Sequence, residues 1–438
     1  MKKLNDFLPL TEILVNELIE QIDLNGIGLK EAEERIVHFV YRIGHMMIER
    51  VVHSVQEPTI ENRLEVEGKV AIYKDMQNLR FKNRFGEEIV RKRRRYAIEG
   101  ESTGYYPLDE KLGLEKCGGF SPLMTYLLTF FGGCEPYGTA ARMVSTALGF
   151  SVSATAVQKN TEMTGRLIDH HPFKTIPQKT ESTACDLMVV EIDGTMSPQI
   201  HEEPGITGRE SLKQPTEYKE CNVVVVEKIK KGIGEVDRWV GAQYGPRQSF
   251  ETYVRQTGLK MGQLQAKELV FLADGAKHNW EIQKTNFPEA IPILDFYHAL
   301  EHLADFCWLF REEQIGKHAY AKWRDMLYKG DIFQVLEEMK ISRDTEVKNR
   351  DEAQKHINYF ENNKWRMQYH EYRARGYPIG SGVVEGQCKL VVGKRFKGNG
   401  MRWKREDNEA VLDARLAVLN NTLDDYFMPK PREFRFAS

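Results

Sequence analysis

KELVFLADG, residues 267–275, is an apolar run that breaks off at an aspartate followed by a glycine. Such a run reads as a buried strand. An aspartate at its carboxyl end emerges where an α/β sheet opens into a cleft. LMVVEID, residues 187–193, has the same form and runs into Asp193-Gly194. A lone Asp-Gly is more often a turn. Two of them at the ends of two buried strands, with a further carboxylate downstream, make a candidate site.

Working outward, EYKECNVVVVEKI (217–229) is a β-branched strand and RWVGAQYG (238–245) reads as its neighbour. SFETYVRQTGLKMG (249–262) is a crossover helix. AIPILDFYH (290–298) is a further strand or strand end leading into a helix around ALEHLADFCWLF. Three strands, then helix, strand, helix, strand, helix, is a ribonuclease H-like succession. Residues 311–375 interrupt it with a charged stretch carrying Trp323, Tyr328, Tyr359, Trp365, Tyr369 and Tyr372. An all-helical insertion is the simplest assignment, its aromatics forming either core or a platform for unpaired bases.

After the insertion comes GYPIGSGVVEGQCKLVVGKRFKGNGMRWKR, residues 376–405. Lys389, Lys394, Arg395, Lys397, Arg402, Lys404 and Arg405 follow Glu385 with no intervening acid. Ser381 is placed as the N-cap of a helix with Glu385 in its first turn or so. A carboxylate heading a basic block suits a polyanion held beside a metal-binding acid. The bland alternative is a solvated basic helix with an ordinary cap. A dinucleotide fingerprint and a phosphate loop both fail on glycine spacing.

Upstream, Ile36, Phe39, Val40, Ile43, Met47, Val51 and Val55 recur at helical spacing, giving a core or dimer-forming helix. Residues 69–98 alternate as a small β module containing Arg91-Lys-Arg-Arg-Arg95, which either touches phosphate or forms a solvated edge strand. Residues 136–168 resemble a helix-turn-helix, with Lys159, Asn160, Thr161 and Arg166 offered to DNA. A polar linker with two prolines follows.

With 438 residues, 41% of them apolar, the chain has room for several domains. The net charge of −2 conceals two strongly basic patches. Six dispersed cysteines without a C-x-x-C pair suit a reducing compartment. No signal peptide or membrane span is legible, so a cytoplasmic, nucleoid-associated protein is expected.

Asp193, Asp274 and Glu385 form a hard-oxygen set that prefers Mg2+ or Mn2+. Two ions about 4 Å apart would clamp the attacking and leaving oxygens of a phosphodiester.

ADGAKHNW (273–280), ILDFYHALEHL (293–303), DGT (193–195), PLDEKLGL (107–114) and YPIGSGVVEGQCKLVVGKRFKGNGMRW (377–403) resemble the bacterial insertion-sequence transposases of the ISKra group, in the DDE class. The resemblance runs in order over residues 105–420. It implies a catalytic and metal-binding triad of Asp193, Asp274 and Glu385, with Asp295 and His298 as an Asp-x-x-His support. It further implies double-stranded DNA partners, namely transposon ends and target, and a homo-oligomer. Cysteine pairs common in that group before PLD are absent from YAIEGESTGYY (96–106).

The expected class is therefore α/β: a ribonuclease H-like catalytic core with an all-helical insertion, preceded by a mostly helical N-terminal DNA-binding region. Its parts are residues 1–68 (helical), 69–168 (β module and helix-turn-helix), 169–186 (linker), 187–310 and 376–438 (core), and 311–375 (insertion). DNA contacts are expected from Arg93, Arg94, Lys159, Arg166, Lys389, Lys394, Arg395, Lys397, Arg402, Lys404 and Arg405. Two other readings compete. His298-Ala-Leu-Glu-His302 matches the HxxEH string of a zinc metallopeptidase, and a retired transposase descendant would bind DNA without cutting it.

Overall fold

The computed structural model describes residues 28–66, 68–101, 103–169, 185–206 and 208–427, besides Glu12 and Asn16. The N-terminal segment in which no signal peptide is legible, Glu12 and Asn16 apart, and linker residues 170–184 lie outside the described residues. The chain divides into two compact units. One comprises residues 1–132, 136–164 and 424–438, the other 133–135 and 165–423. The division falls inside helix Ala154–Asp169.

In the first unit, helix Leu29–Ser54 precedes an antiparallel sheet of β1 (Arg63–Val66), β2 (Lys69–Lys82), β3 (Glu88–Ile98) and β4 (Gly104–Tyr105). The helix buries Ala32, His45 and Val52 but leaves Ile36, Val40, Met47 and Val51 exposed, so the apolar stripe is not core in this unit. The basic run lies on β3, with Arg91 to Arg95 paired to Leu79 to Asp75 of β2. Its arginines have partners at home. Arg91 donates to the carbonyls of Val52 and Val55. Arg93 pairs with Asp109 and lies over the Tyr106 ring. Arg94 lies over Tyr73, 3.9 Å from its centroid, and donates to Tyr96 Oη.

Two consecutive helices, Tyr137–Leu148 and Ala154–Asp169, occupy the stretch expected as a helix-turn-helix, with Gly149 at φ 72° ending the first. The polar residues proposed for its reading face require correction. Asn160 and Thr161 are fully buried and donate to the carbonyls of Ala156 and Val157, one helical turn back. Lys159 is exposed.

The second unit is built on a mixed five-stranded sheet of order β7-β6-β5-β8-β9. β5 (Leu187–Ile200), β6 (Thr216–Lys230) and β7 (Gly234–Tyr244) are an antiparallel meander. β8 (Glu268–Ala273) and β9 (Ile291–Leu294) add to β5 in parallel. Helix Arg247–Met261 makes the crossover into β8, and Lys277–Asn286 the crossover into β9. These parallel strands are β-branched or aromatic and closed on both faces, as parallel sheets require. Val189, Val190, Val270, Phe271, Leu272, Ile293 and Leu294 are all fully buried.

β5 differs from its expected extent. It continues seven residues beyond Asp193, because the hairpin with β6 persists to Ile200↔Thr216 while the β8 pairing stops at Glu191↔Leu272. Asp193 thus marks the end of parallel pairing, not the end of the strand.

Residues 313–374 are helical, in segments Glu313–Lys329, Ile332–Thr345, Arg350–Asn363 and Tyr369–Ala374. They share one hydrophobic core with the sheet. Trp323, Leu327, Val335, Phe360 and Tyr369 belong to the same buried cluster as Val190 and Phe271. Trp323, Tyr369 and Tyr372 are core, whereas Trp365 is exposed and packs edge-on against Phe333.

Candidate active site

The parallel register aligns the carboxylates. β5 and β8 pair from Leu187↔Glu268 to Glu191↔Leu272, and the same offset carried two residues further sets Asp193 opposite Asp274. β8 and β9 pair up to Ala273↔Leu294, so the next residues, Asp274 and Asp295, are also opposite. Three aspartates therefore stand at one level across three adjacent strands, about 4.8 Å apart strand to strand.

They are held differently. Asp274 Oδ1 accepts from the Ala276 N–H at 2.9 Å and from Asn279 Nδ2 at 2.7 Å, an Asx turn that starts the next helix. Asp193 Oδ1 accepts from the Gly194 N–H at 2.7 Å, and its Oδ2 receives the Cys388 thiol at 3.6 Å. Burial pushes the Asp193 pKa up, and Asp274 adds to the shift while His298 opposes it. Asp295 is fully buried and caps helix Phe296–Trp308 by accepting from the His298 N–H at 2.7 Å; its other oxygen accepts from the Ser381 N–H.

His298 faces this row. Burial works against its charge, but Asp295, Glu301, Asp274 and Asp193 outweigh that and raise its pKa above the ordinary histidine value.

Glu385 lies in helix Gly382–Cys388, as expected. Ser381 occupies the N-cap position, but its hydroxyl makes no capping bond to the backbone; it donates to Glu385 Oε1 at 3.2 Å. Glu385 and Cys388 are three residues apart on one helical face, and Cys388 meets Asp193. That brings Glu385 to the same end of the sheet as the two aspartates. Among the described residues, no three His, Cys, Asp or Glu side chains converge closely enough to hold a metal ion as they stand. The donor chemistry fits a hard divalent cation, with Glu385 engaged by Ser381.

The basic block is heterogeneous. The helix runs into a π-helical turn, Lys389–Gly393, then a short turn Lys394–Phe396. Arg395 is fully buried, its guanidinium 4.9 Å from the centroid of the Trp403 ring, so it is corrected from a DNA contact to a core residue. Arg402 donates to the carbonyls of Gln214 and Leu212, at 2.9 and 2.7 Å, fastening the GMRW loop to the segment before β6. Lys394 pairs with Glu135 at 3.6 Å, Arg405 with Glu409 at 3.0 Å, and Arg166 with Asp407 at 2.6 Å. Lys397 reaches Thr195, two residues past Asp193, at 2.7 Å. Lys389 is exposed and Lys404 half-buried.

Four participants had little or no signal in the sequence. Glu191 is an acid inside an apolar strand. Cys388 is one turn beyond Glu385. Ser381 serves Glu385 and not the helix cap. Tyr359, from the helical segment, lies over Gly275 so closely that a Cβ there would fall 2.1 Å from its ring. The HxxEH string is also resolved. His298 Nδ1 meets Glu301 at 3.2 Å, whereas His302 Nδ1 meets His356 Nδ1 at 3.2 Å with Tyr359 stacked on its ring at 3.6 Å. The two histidines of the string thus serve separate clusters, which does not favour a zinc peptidase.

No described helix is long and apolar enough to cross a membrane. No protein-family profile and no curated protein matches the chain. Among solved structures, the Drosophila P element transposase strand transfer complex is similar over 72% of this chain and 95% of that chain, at 10% identity and a TM-score of 0.40. That overlap leaves the carboxylate geometry as the ground for a functional reading.

Proposed function

We propose that the chain is a DDE-class DNA transposase on a ribonuclease H-like core, cutting the ends of an insertion sequence and joining them to target DNA. The observation that carries this reading is the register of Asp193 against Asp274 on neighbouring parallel strands, with Glu385 three residues before Cys388, whose thiol meets Asp193. Asp193, Asp274 and Glu385 would hold Mg2+ or Mn2+, two ions per site. Bound there, such ions activate an attacking oxygen and stabilise the leaving one. Water and a 3′ hydroxyl attack the same kind of phosphodiester, so one arrangement serves cutting and joining.

The chain's own groups have separate tasks in this scheme. His298, whose pKa the neighbouring carboxylates raise, stands beside the row of aspartates as a positioning group. Lys389, Lys397 and Lys404 contact the DNA backbone near the site, and Lys159, exposed on the first unit, is a further backbone contact. The exposed stripe of Ile36, Val40, Met47 and Val51 would be covered in a homo-oligomer.

The deciding experiment is cleavage of labelled DNA spanning the ends of the encoding element, in Mg2+ or Mn2+, by wild type and Glu385→Gln. Metal-dependent 3′-end cutting by wild type and its loss in the variant support the reading. DNA binding without cutting by either protein favours a retired, DNA-binding descendant.

A further inference from the structure

We propose that Glu191 is a positioning residue that fixes the turn carrying Glu385, an inference that rests on the metal-site reading above. Glu191 is on β5 two residues before Asp193, and side chains two apart on a strand share a face. It is wholly buried. Its Oε2 accepts from the Val384 N–H at 2.8 Å, on the residue immediately before Glu385.

The first N–H groups of any helix lack partners within the helix and are ordinarily capped by a side chain at its own start. Here Ser381 makes no such cap, having turned its hydroxyl to Glu385. The task passes to two carboxylates from the sheet. Asp295, after β9, takes the Ser381 N–H, and Glu191, on β5, takes the Val384 N–H. The two residues between those anchors, Gly382 and Val383, have no freedom to rotate about the helix axis, so Glu385, the residue directly after the second anchor, is aimed by the sheet that bears Asp193 and Asp274. A hydrophobic residue would suit the surroundings of Glu191 better if packing were the only need. Its second oxygen, Oε1, is buried without a hydrogen-bond partner, a cost that an ordinary core position would avoid.

The test uses the full chain as Glu191→Gln, which retains an acceptor of the same length, and Glu191→Met, which fills the space without one. Amide exchange read by mass spectrometry on peptides spanning residues 381–386 reports the anchor without requiring metal or activity. The Mn2+ concentration for half-maximal DNA cutting reports the aim of Glu385. Glu191→Met is expected to speed exchange there by about tenfold and to raise the Mn2+ requirement by a similar factor, with DNA affinity unchanged. Glu191→Gln should match wild type in both.

Unchanged exchange in Glu191→Met overturns the proposal. So does faster exchange with an unaltered Mn2+ requirement, which would make Glu191 a structural cap alone. If Glu191→Met does not fold, Glu191→Gln decides: lost protection or a raised Mn2+ requirement in that variant is fatal. A wild-type chain that cuts no DNA defeats the metal-site reading, and the exchange comparison still reports separately on the anchor.

Discussion

The β5–β8 register puts Asp193 and Asp274 at one level, two residues beyond its last rung at Glu191↔Leu272. Neither can move along its strand without breaking the pairing of fully buried Val190 and Phe271 behind it. The spacing of the two carboxylates is therefore a property of the sheet.

If that pair holds the metal, Asp193→Asn and Asp274→Asn should each lower metal-dependent DNA cutting by about 10³-fold or more, while a gel-shift titration of the same DNA shows affinity within a few fold of wild type. A variant that still cuts at a tenth of the wild-type rate would remove that aspartate from the site.

The cations separate into those facing solvent and those holding the chain. Lys389→Ala and Lys397→Ala should each reduce the slope of log affinity against log salt by about 1. Arg395→Ala should leave the slope unchanged and lower stability by about 2–4 kcal/mol, since it empties a fully buried site beside Trp403. Urea melts and filter binding at several salt concentrations distinguish the two classes.

The His302–His356 contact gives a pH dependence. Burial lowers both pKa values; His356 lowers that of His302 further, while Asp305 opposes the shift in both. The unfolded chain therefore takes up protons below about pH 6.5 that the folded chain resists, so stability falls as pH falls through that window. Thermal melts between pH 7.5 and 5.5 should show this decline, less steep in His356→Gln. Superimposable pH profiles would mean that the pair does not contribute.

Gly165 is helical, where alanine would ordinarily be favoured by about 1 kcal/mol. A Cβ at that position would fall 1.8 Å from the carbonyl oxygen of Ala410, on the helix Arg405–Leu419. The clash is with backbone and dominates: Gly165→Ala should lose about 2 kcal/mol or more, visible as a lower melting temperature. An unchanged or raised value would show that the two helices can part at that point.

The strands were legible because each parallel strand is predominantly apolar, and Asp274 and Asp295 follow theirs directly. The extension of β5 was not, because Gly194, Ser197 and Pro198 read as a strand's end. Past Glu191, β8 no longer pairs with β5, and that vacated edge is where a proline missing its N–H is tolerated. The roles of Asn160, Thr161 and Arg395 were misread for a different reason. A polar side chain on a helix gives no indication of which way it faces when its partner is the carbonyl one turn back or, for Arg395, the ring of Trp403 beyond the end of the helix. Glu191 was hidden by its neighbours, since one acid in an apolar strand looks like a strand with a tolerated charge.

The helical stretch between β9 and Glu385 packs its Trp323, Leu327, Phe360 and Tyr369 into the same interior as the sheet. It cannot be regarded as a passenger that a shorter loop might replace. Excising it would uncover one flank of the strands and remove Tyr359 from above Gly275, so deletion should yield an insoluble chain and not a smaller enzyme. Any lineage that shortens this stretch must first rebuild the interior, which ties the length of the segment to the survival of the carboxylate row.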